Sequence, residues 1–149
     1  FVETGAPRTQ MGWPVTPDGI IDAMRMVHER KPGLPLYITE NGAAADDLVT
    51  DGEIHDEERR AFIEAHLEAC RTAIQLGVPL RGYFIWTLMD NFEWAWGFQR
   101  RFGLVRVDAT TQARTVKDSG KWLKAMLRAD KDLQASRAGA APERLAVQK

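Results

Sequence analysis

Two short apolar segments limit what this chain can fold into. Leu34-Pro35-Leu36-Tyr37-Ile38-Thr39 and Leu80-Arg81-Gly82-Tyr83-Phe84-Ile85-Trp86 both read as buried β-strands. Helical patterns surround them. Thr16-Pro17-Asp18 reads as a helix start, with Thr16 as N-cap and Pro17 at the first helical position. Ile20, Met24 and Val27 follow at helical spacing, and Lys31-Pro32-Gly33 stops the helix. Asp56 is expected to cap a second helix, with Ile63, Leu67, Cys70 and Ile74 as its buried stripe and Gly77 at its end. A third, from about Val116 to Arg128, is expected to bury Trp122 and Met126. Helix, strand, helix, strand, helix predicts parallel α/β units. Two or three strands give a poor free-standing sheet, because a parallel pair leaves apolar edges unpaired. The pattern fits a small layered domain or part of a larger barrel.

The connecting segments carry little period. Residues 1–15 read as a loop, and Glu40-Asn41-Gly42 ends the first strand at a turn. Residues 43–55 read as a polar, Asp-rich loop, and Phe102–Val107 as a short extended piece. Residues 131–149 lack a sustained apolar period and are expected to form a frayed polar tail or a surface helix beyond a domain spanning 1–130.

Composition removes several classes of function. Twenty Lys and Arg against 21 Asp and Glu give a net charge of −1, which argues against nucleic-acid and anionic-membrane partners. No apolar run approaches the roughly 20 residues of a membrane helix. The one cysteine, Cys70, excludes an internal disulfide and a multi-Cys metal site, and suits a cytoplasmic location. The chain opens on Phe1 without a signal segment, so it is expected to begin partway through a longer product. His28, His55 and His66 lack metal-ligand spacing, and Asp46, Asp47, Asp51 and Glu53 read as solvated loop acids, so no metal is expected. No phosphate loop and no Gly-x-Ser-x-Gly occur.

Two carboxylates stand out against this background. Glu40 falls at the carboxyl end of a strand, the edge where parallel α/β folds bind ligands and place catalytic groups. A capping or salt-bridged glutamate is the plainer alternative. Glu93 lies among bunched indoles: Trp86, Trp94 and Trp96 are three of the five tryptophans, with Asp90 close by. A carboxylate beside stacked rings suits a sugar, whose faces are apolar and whose rim is polar. Core tryptophans beside a surface glutamate would look the same.

Longer motifs narrow these readings. Leu36-Tyr37-Ile38-Thr39-Glu40-Asn41-Gly42 resembles the Ile-Thr-Glu-Asn-Gly signature of the family 1 glycoside hydrolases, the β-glucosidase family. Trp86-Thr87-Leu88-Met89-Asp90-Asn91-Phe92-Glu93-Trp94 resembles that family's second signature. Met11-Gly12-Trp13, Pro17-x-Gly19 and Arg101-Phe102-Gly103-Leu104-Val105-x-Val107-Asp108 also match, so the likeness runs from about Gly5 to about Arg128.

The resemblance implies a TIM barrel, which needs about 250 residues. Only the last two of its β/α units are present, making this the C-terminal portion of a (β/α)8 barrel. It implies a retaining β-glycosidase acting on terminal non-reducing β-D-glucosyl residues of a β-glucoside or short β-linked oligosaccharide, as in cellulose and polysaccharide degradation. Glu40 matches the nucleophile. Trp86, Glu93 and Trp94 match sugar-binding positions, and Phe102 matches an aromatic wall. No cofactor is implied. The family's acid/base glutamate sits in an Asn-Glu-Pro motif absent from these 149 residues, so the N-terminal remainder of the barrel is an expected partner. Members that cleave 6-phospho sugars carry a Ser- and Lys-containing stretch in place of Glu93. The alternative is a catalytically incomplete fragment or half-barrel, acting only as a structural or sugar-binding piece. Unpaired strand edges predict self-association or poor solubility for the isolated chain.

Overall fold

The computed structural model describes residues 5–139. Among them are α1 (Asp18–Arg30), β1 (Leu36–Asn41), β2 (Leu48–Thr50), β3 (Glu53–His55), α2 (Glu57–Gln75), β4 (Leu80–Ile85), β5 (Val105–Val107), β6 (Arg114–Val116) and α3 (Asp118–Gly139). The alternating helix–strand order is the expected one, with two small hairpins added. β1 and β4 pair in parallel, Leu36 opposite Leu80 and Ile38 opposite Tyr83. The connection between them contains α2, as a parallel crossover requires.

Helices cover one face of this pair. Leu36, Ile38 and Leu80 pack against Met24 of α1 and against Ala73 and Val78 around the end of α2. On the other face a Cβ at Gly82 would touch Tyr37 and Phe84, and each of those rings is 58% exposed. The strands are therefore not buried on both sides as expected: no second layer lies over Tyr37 and Phe84 among the described residues.

The helices form where expected but differ in detail. α1 begins at Asp18 with Pro17 in the cap position and no side-chain cap, so Thr16 does not cap it. Val27 and Ile74 are exposed. Each lies roughly 80° from the centre of its helix's buried arc at 100° per residue. The buried arc of α2 runs instead through Arg59, Ile63, His66, Cys70 and Ala73. α2 stops where expected, with the Gly77 N–H donating to the Ile74 carbonyl. α3 half-buries Trp122 and Met126 and runs past the expected end near Arg128 to Gly139. Residues 140–149 of the expected tail lie outside the described residues.

The segment expected as a polar loop holds the β2–β3 hairpin, with Thr50 opposite Glu53. Asp51 and Gly52 turn it at φ +51° and +81°. Positive φ at both central positions is the type I′ geometry that Asp-Gly favours. β5 and β6 form a second antiparallel hairpin. Among the described residues no helix is long and apolar enough to cross a membrane.

Candidate active site

β1 carries Glu40 to its carboxyl end, where the residue is exposed. The strand continues through Asn41 rather than turning there. The Trp86 N–H donates to the Asn41 carbonyl at 3.0 Å, and the Tyr83 hydroxyl donates to Asn41 Oδ1 at 2.6 Å. These bonds hold the ends of β1 and β4 side by side. Gly42 explains the Asn-Gly pair: a Cβ there would lie 1.7 Å from the Trp86 carbonyl oxygen. The position calls for glycine because of close backbone approach, not because of a turn.

Beyond Trp86 the chain folds into a tight aromatic loop. The Trp86–Thr87 peptide bond is cis. The Glu93 N–H donates to the Gly97 carbonyl at 2.7 Å, and Trp96 N–H donates to the Glu93 carbonyl at 2.8 Å. These close a single 3₁₀ turn over Trp94–Trp96. Trp94 is 84% exposed. Trp96 carries the Arg100 guanidinium 4.4 Å from its ring centroid, and Phe92 meets Phe98 edge to face. Phe102, by contrast, is buried, with its ring centroid 6.3 Å from that of Trp13.

These pieces meet at one open cleft of about 600 Å³, which Glu40, Trp86, Glu93, Trp94 and Phe102 all line. The five residues selected from the sequence thus share a wall. The cleft also takes Trp13 and Thr16 from the leading segment and Phe62 and His66 from α2. Trp13 was visible in the Met-Gly-Trp triplet, but spacing alone gave it no place. His66, read only as a helical histidine without a metal partner, stacks on Phe62 with centroids 3.9 Å apart. Its Nδ1 is 2.8 Å from the Phe62 carbonyl, which can only accept, so Nδ1 donates. Burial pushes the His66 pKa below its ordinary 6.5, against the opposing effect of that hydrogen bond.

A buried ionic net lies away from the cleft. Asp90 does not line the cleft; its Oδ1 accepts from the Gly103 N–H and from Lys117 Nζ, both at 2.9 Å. Asp47, expected to be solvated, has a fully buried side chain, with Lys117 Nζ 2.9 Å from Oδ2 and Arg59 Nη1 3.3 Å from Oδ1. Arg59 also pairs with Asp56 and donates to the carbonyls of Ala43, Ala45 and Arg101. Three carboxylates thus face two buried cations, and the half-exposed Arg101 guanidinium, 3.7 Å from Asp47, supplies a third positive charge. Buried charges persist only when paired in this way. Burial, reinforced by the Arg59 charge, pushes the Lys117 pKa below 10.5 against its hydrogen bonds to Asp90 and Asp47. Nothing in the sequence spacing announces this net, because its members are scattered over five segments.

The geometry has relatives. The chain is 53% identical over 123 residues to beta-glucosidase A of Thermotoga maritima, a match covering 82% of this chain and 28% of that protein. It is 52% identical over 123 residues to the 1,4-beta-D-glucan glucohydrolase of Thermotoga neapolitana, with the same shares covered. Its fold is similar to a family 1 b-glucosidase from Thermotoga maritima in complex with isofagomine lactam. The TM-score is 0.82 at 50% identity, over 86% of this chain and 29% of that one. The chain therefore spans under a third of the length of these relatives. The family model of Glycosyl hydrolase family 1 matches residues 2–132, a span that holds both signature segments and all five selected cleft residues. By motif, by fold and by that match, the chain belongs to glycosyl hydrolase family 1.

Proposed function

We propose that this chain is the C-terminal portion, about the last two β/α units, of a (β/α)8-barrel β-glycosidase. Residues 1–130 are its barrel segment, and 131–149 a polar tail whose first part continues the α3 helix. It acts with retention on terminal β-D-glucosyl residues. The convergence of Glu40, Trp86, Glu93, Trp94 and Phe102 on one cleft carries this reading. The names of the relatives support the substrate class: they are given as β-glucosidase and glucan glucohydrolase.

The family resemblance supplies the roles proposed for the residues that line the cleft. The Glu40 carboxylate attacks the anomeric carbon as the glycosidic oxygen leaves, forming a glycosyl ester. A second carboxyl group, about 5–5.5 Å away, protonates the leaving oxygen and then deprotonates the water that opens the ester. Glu93 accepts hydrogen bonds from hydroxyls on the sugar's far side, O4 and O6, while Trp86 lies along the ring and Trp94 meets its hydroxyl edge. Phe102 forms a wall. The acid/base group comes from the remainder of the barrel, either the same gene product or a complementary chain. The bare face of Tyr37 and Phe84 and the open edges of β1 and β4 are where that remainder docks, and where isolated chains self-associate. The free thiol of Cys70 supports a cytoplasmic setting.

Trapping tests the assignment. A 2-deoxy-2-fluoro β-glucoside, applied to the complete barrel polypeptide, is expected to label Glu40, as read by peptide mapping. A label on another residue would refute the assignment. The short span against its relatives favours one second reading, a fragment without catalysis of its own. That reading predicts no hydrolysis of an aryl β-glucoside by residues 1–149 alone.

A further inference from the structure

We propose that Lys117 is a positioning residue for this site: its buried ammonium ties the segment behind Glu40 to the segment that carries Glu93. The inference rests on the glycosidase reading above. Lys117 Nζ lies 2.9 Å from Asp47 Oδ2 and 2.9 Å from Asp90 Oδ1. Asp47 stands seven residues after Glu40, and Asp90 stands three before Glu93. Neither carboxylate lines the cleft, so the bridge works from behind it.

Both ends of the bridge are anchored again. Arg59, which holds Asp47, also grips the Ala43 and Ala45 carbonyls on the Glu40 side and the Arg101 carbonyl next to Phe102. Asp90 takes the N–H of Gly103, on the other side of Phe102, at 2.9 Å. Moving Lys117 therefore disturbs the backing of the nucleophile, of the hydroxyl-binding loop and of the aromatic wall together. An apolar filling would avoid the desolvation cost of these charges. The ionic bridge instead fixes two carboxylates, and the segments bearing them, at a set separation. Misplacement of a reacting group by about 1 Å can cost on the order of 100-fold in rate.

The test uses the full-length polypeptide that contains this chain. The double variant K117M/D90N removes one cation and one anion together, leaving the charge balance of the net unchanged. Lys121, exposed and paired with Glu53 and Asp118, gives the control K121M four residues further on, in α3. The readouts are melting temperature, the rate of Glu40 labelling by a 2-deoxy-2-fluoro β-glucoside, and KM for an aryl β-glucoside. Well below its melting temperature, the double variant is expected to label Glu40 about 100-fold more slowly and with raised KM, while K121M labels at the wild-type rate. A folded double variant that melts earlier but keeps both the wild-type labelling rate and KM overturns the proposal. Should the double variant not fold, K117R decides. It keeps the charge but changes its reach, so a reduced labelling rate is expected, and an unchanged rate overturns the role. A wild-type label on a residue other than Glu40 overturns the glycosidase reading and this one with it. A wild-type label on Glu40 with unaltered variants overturns only the role of Lys117.

Discussion

The Asp56 carboxylate stands just before α2 but serves α3. Its Oδ1 accepts the Ser119 N–H at 2.8 Å, and its Oδ2 accepts the Ser119 hydroxyl at 2.5 Å. It makes no hydrogen bond to the N–H groups of α2 itself. An anion in the first turn of α3 satisfies an orphan donor and favours the helix dipole there. The same carboxylate pairs with the buried Arg59. Asp56→Ala strips a buried guanidinium of a partner and uncaps a helix at once. Such losses cost about 3–5 kcal/mol. Urea denaturation checks this, and a loss below about 1 kcal/mol, the worth of one ordinary hydrogen bond, would contradict it.

Gly42 is expected to tolerate no side chain. An alanine Cβ would sit 1.7 Å from the Trp86 carbonyl oxygen, so the backbone at the ends of β1 and β4 must part. Overpacking of this kind costs about 1–3 kcal/mol or more. Because Glu40 and Trp86 flank the contact, Gly42→Ala is expected to lower kcat/KM by more than the stability loss explains. Kinetics well below the melting temperature separate the two effects.

Stability is expected to fall on mild acidification because of His66. Its folded pKa lies below the ordinary 6.5, chiefly from burial. Between those two values the unfolded chain binds more protons than the folded one, so stability rises with pH through that window. The stabilising contribution is present above 6.5 and is lost as pH falls through the folded pKa. Melting temperatures from pH 8 down to pH 5 should drop, and His66→Gln should flatten that slope. An unaltered slope in His66→Gln would assign the effect elsewhere.

Glu93 is expected to reject phosphorylated sugars. A carboxylate and a phosphate at about 4 Å repel by roughly 4 kcal/mol per pair of unit charges at an effective dielectric of 20. Plain aryl β-glucosides should be turned over by the complete barrel, and their 6-phosphates should not. Glu93→Gln should raise KM for the plain substrate and narrow the gap. Comparable rates of the native enzyme on both substrates would remove Glu93 from this role.

The parts legible in the sequence are those set by neighbours along the chain. Helical spacing located α1 and α2, and the run ending in Glu40 located β1. Long signature segments selected the five residues that line the cleft. The missed features depend on contacts across the chain. Asp47 looked like one acid among several in a polar loop, but Arg59 and Lys117, 12 and 70 positions away, make it a buried ion. Gly42 looked like a turn residue until the Trp86 carbonyl was placed against it. The hairpin at Asp51-Gly52 was within reach, since Asp-Gly is a strong turn signal; the polar composition around it hid the two short strands.

The anchoring of α3 has a consequence for how the site survives damage. Its first turn supplies Ser119 to Asp56, and the residue just before it, Lys117, reaches both Asp47 and Asp90. Lys117 and the first turn of α3 are thus a keystone for a cleft that they do not line. Proteolytic loss of everything after Thr115 would remove these anchors behind the cleft while leaving Glu40, Trp86, Glu93, Trp94 and Phe102 in the chain.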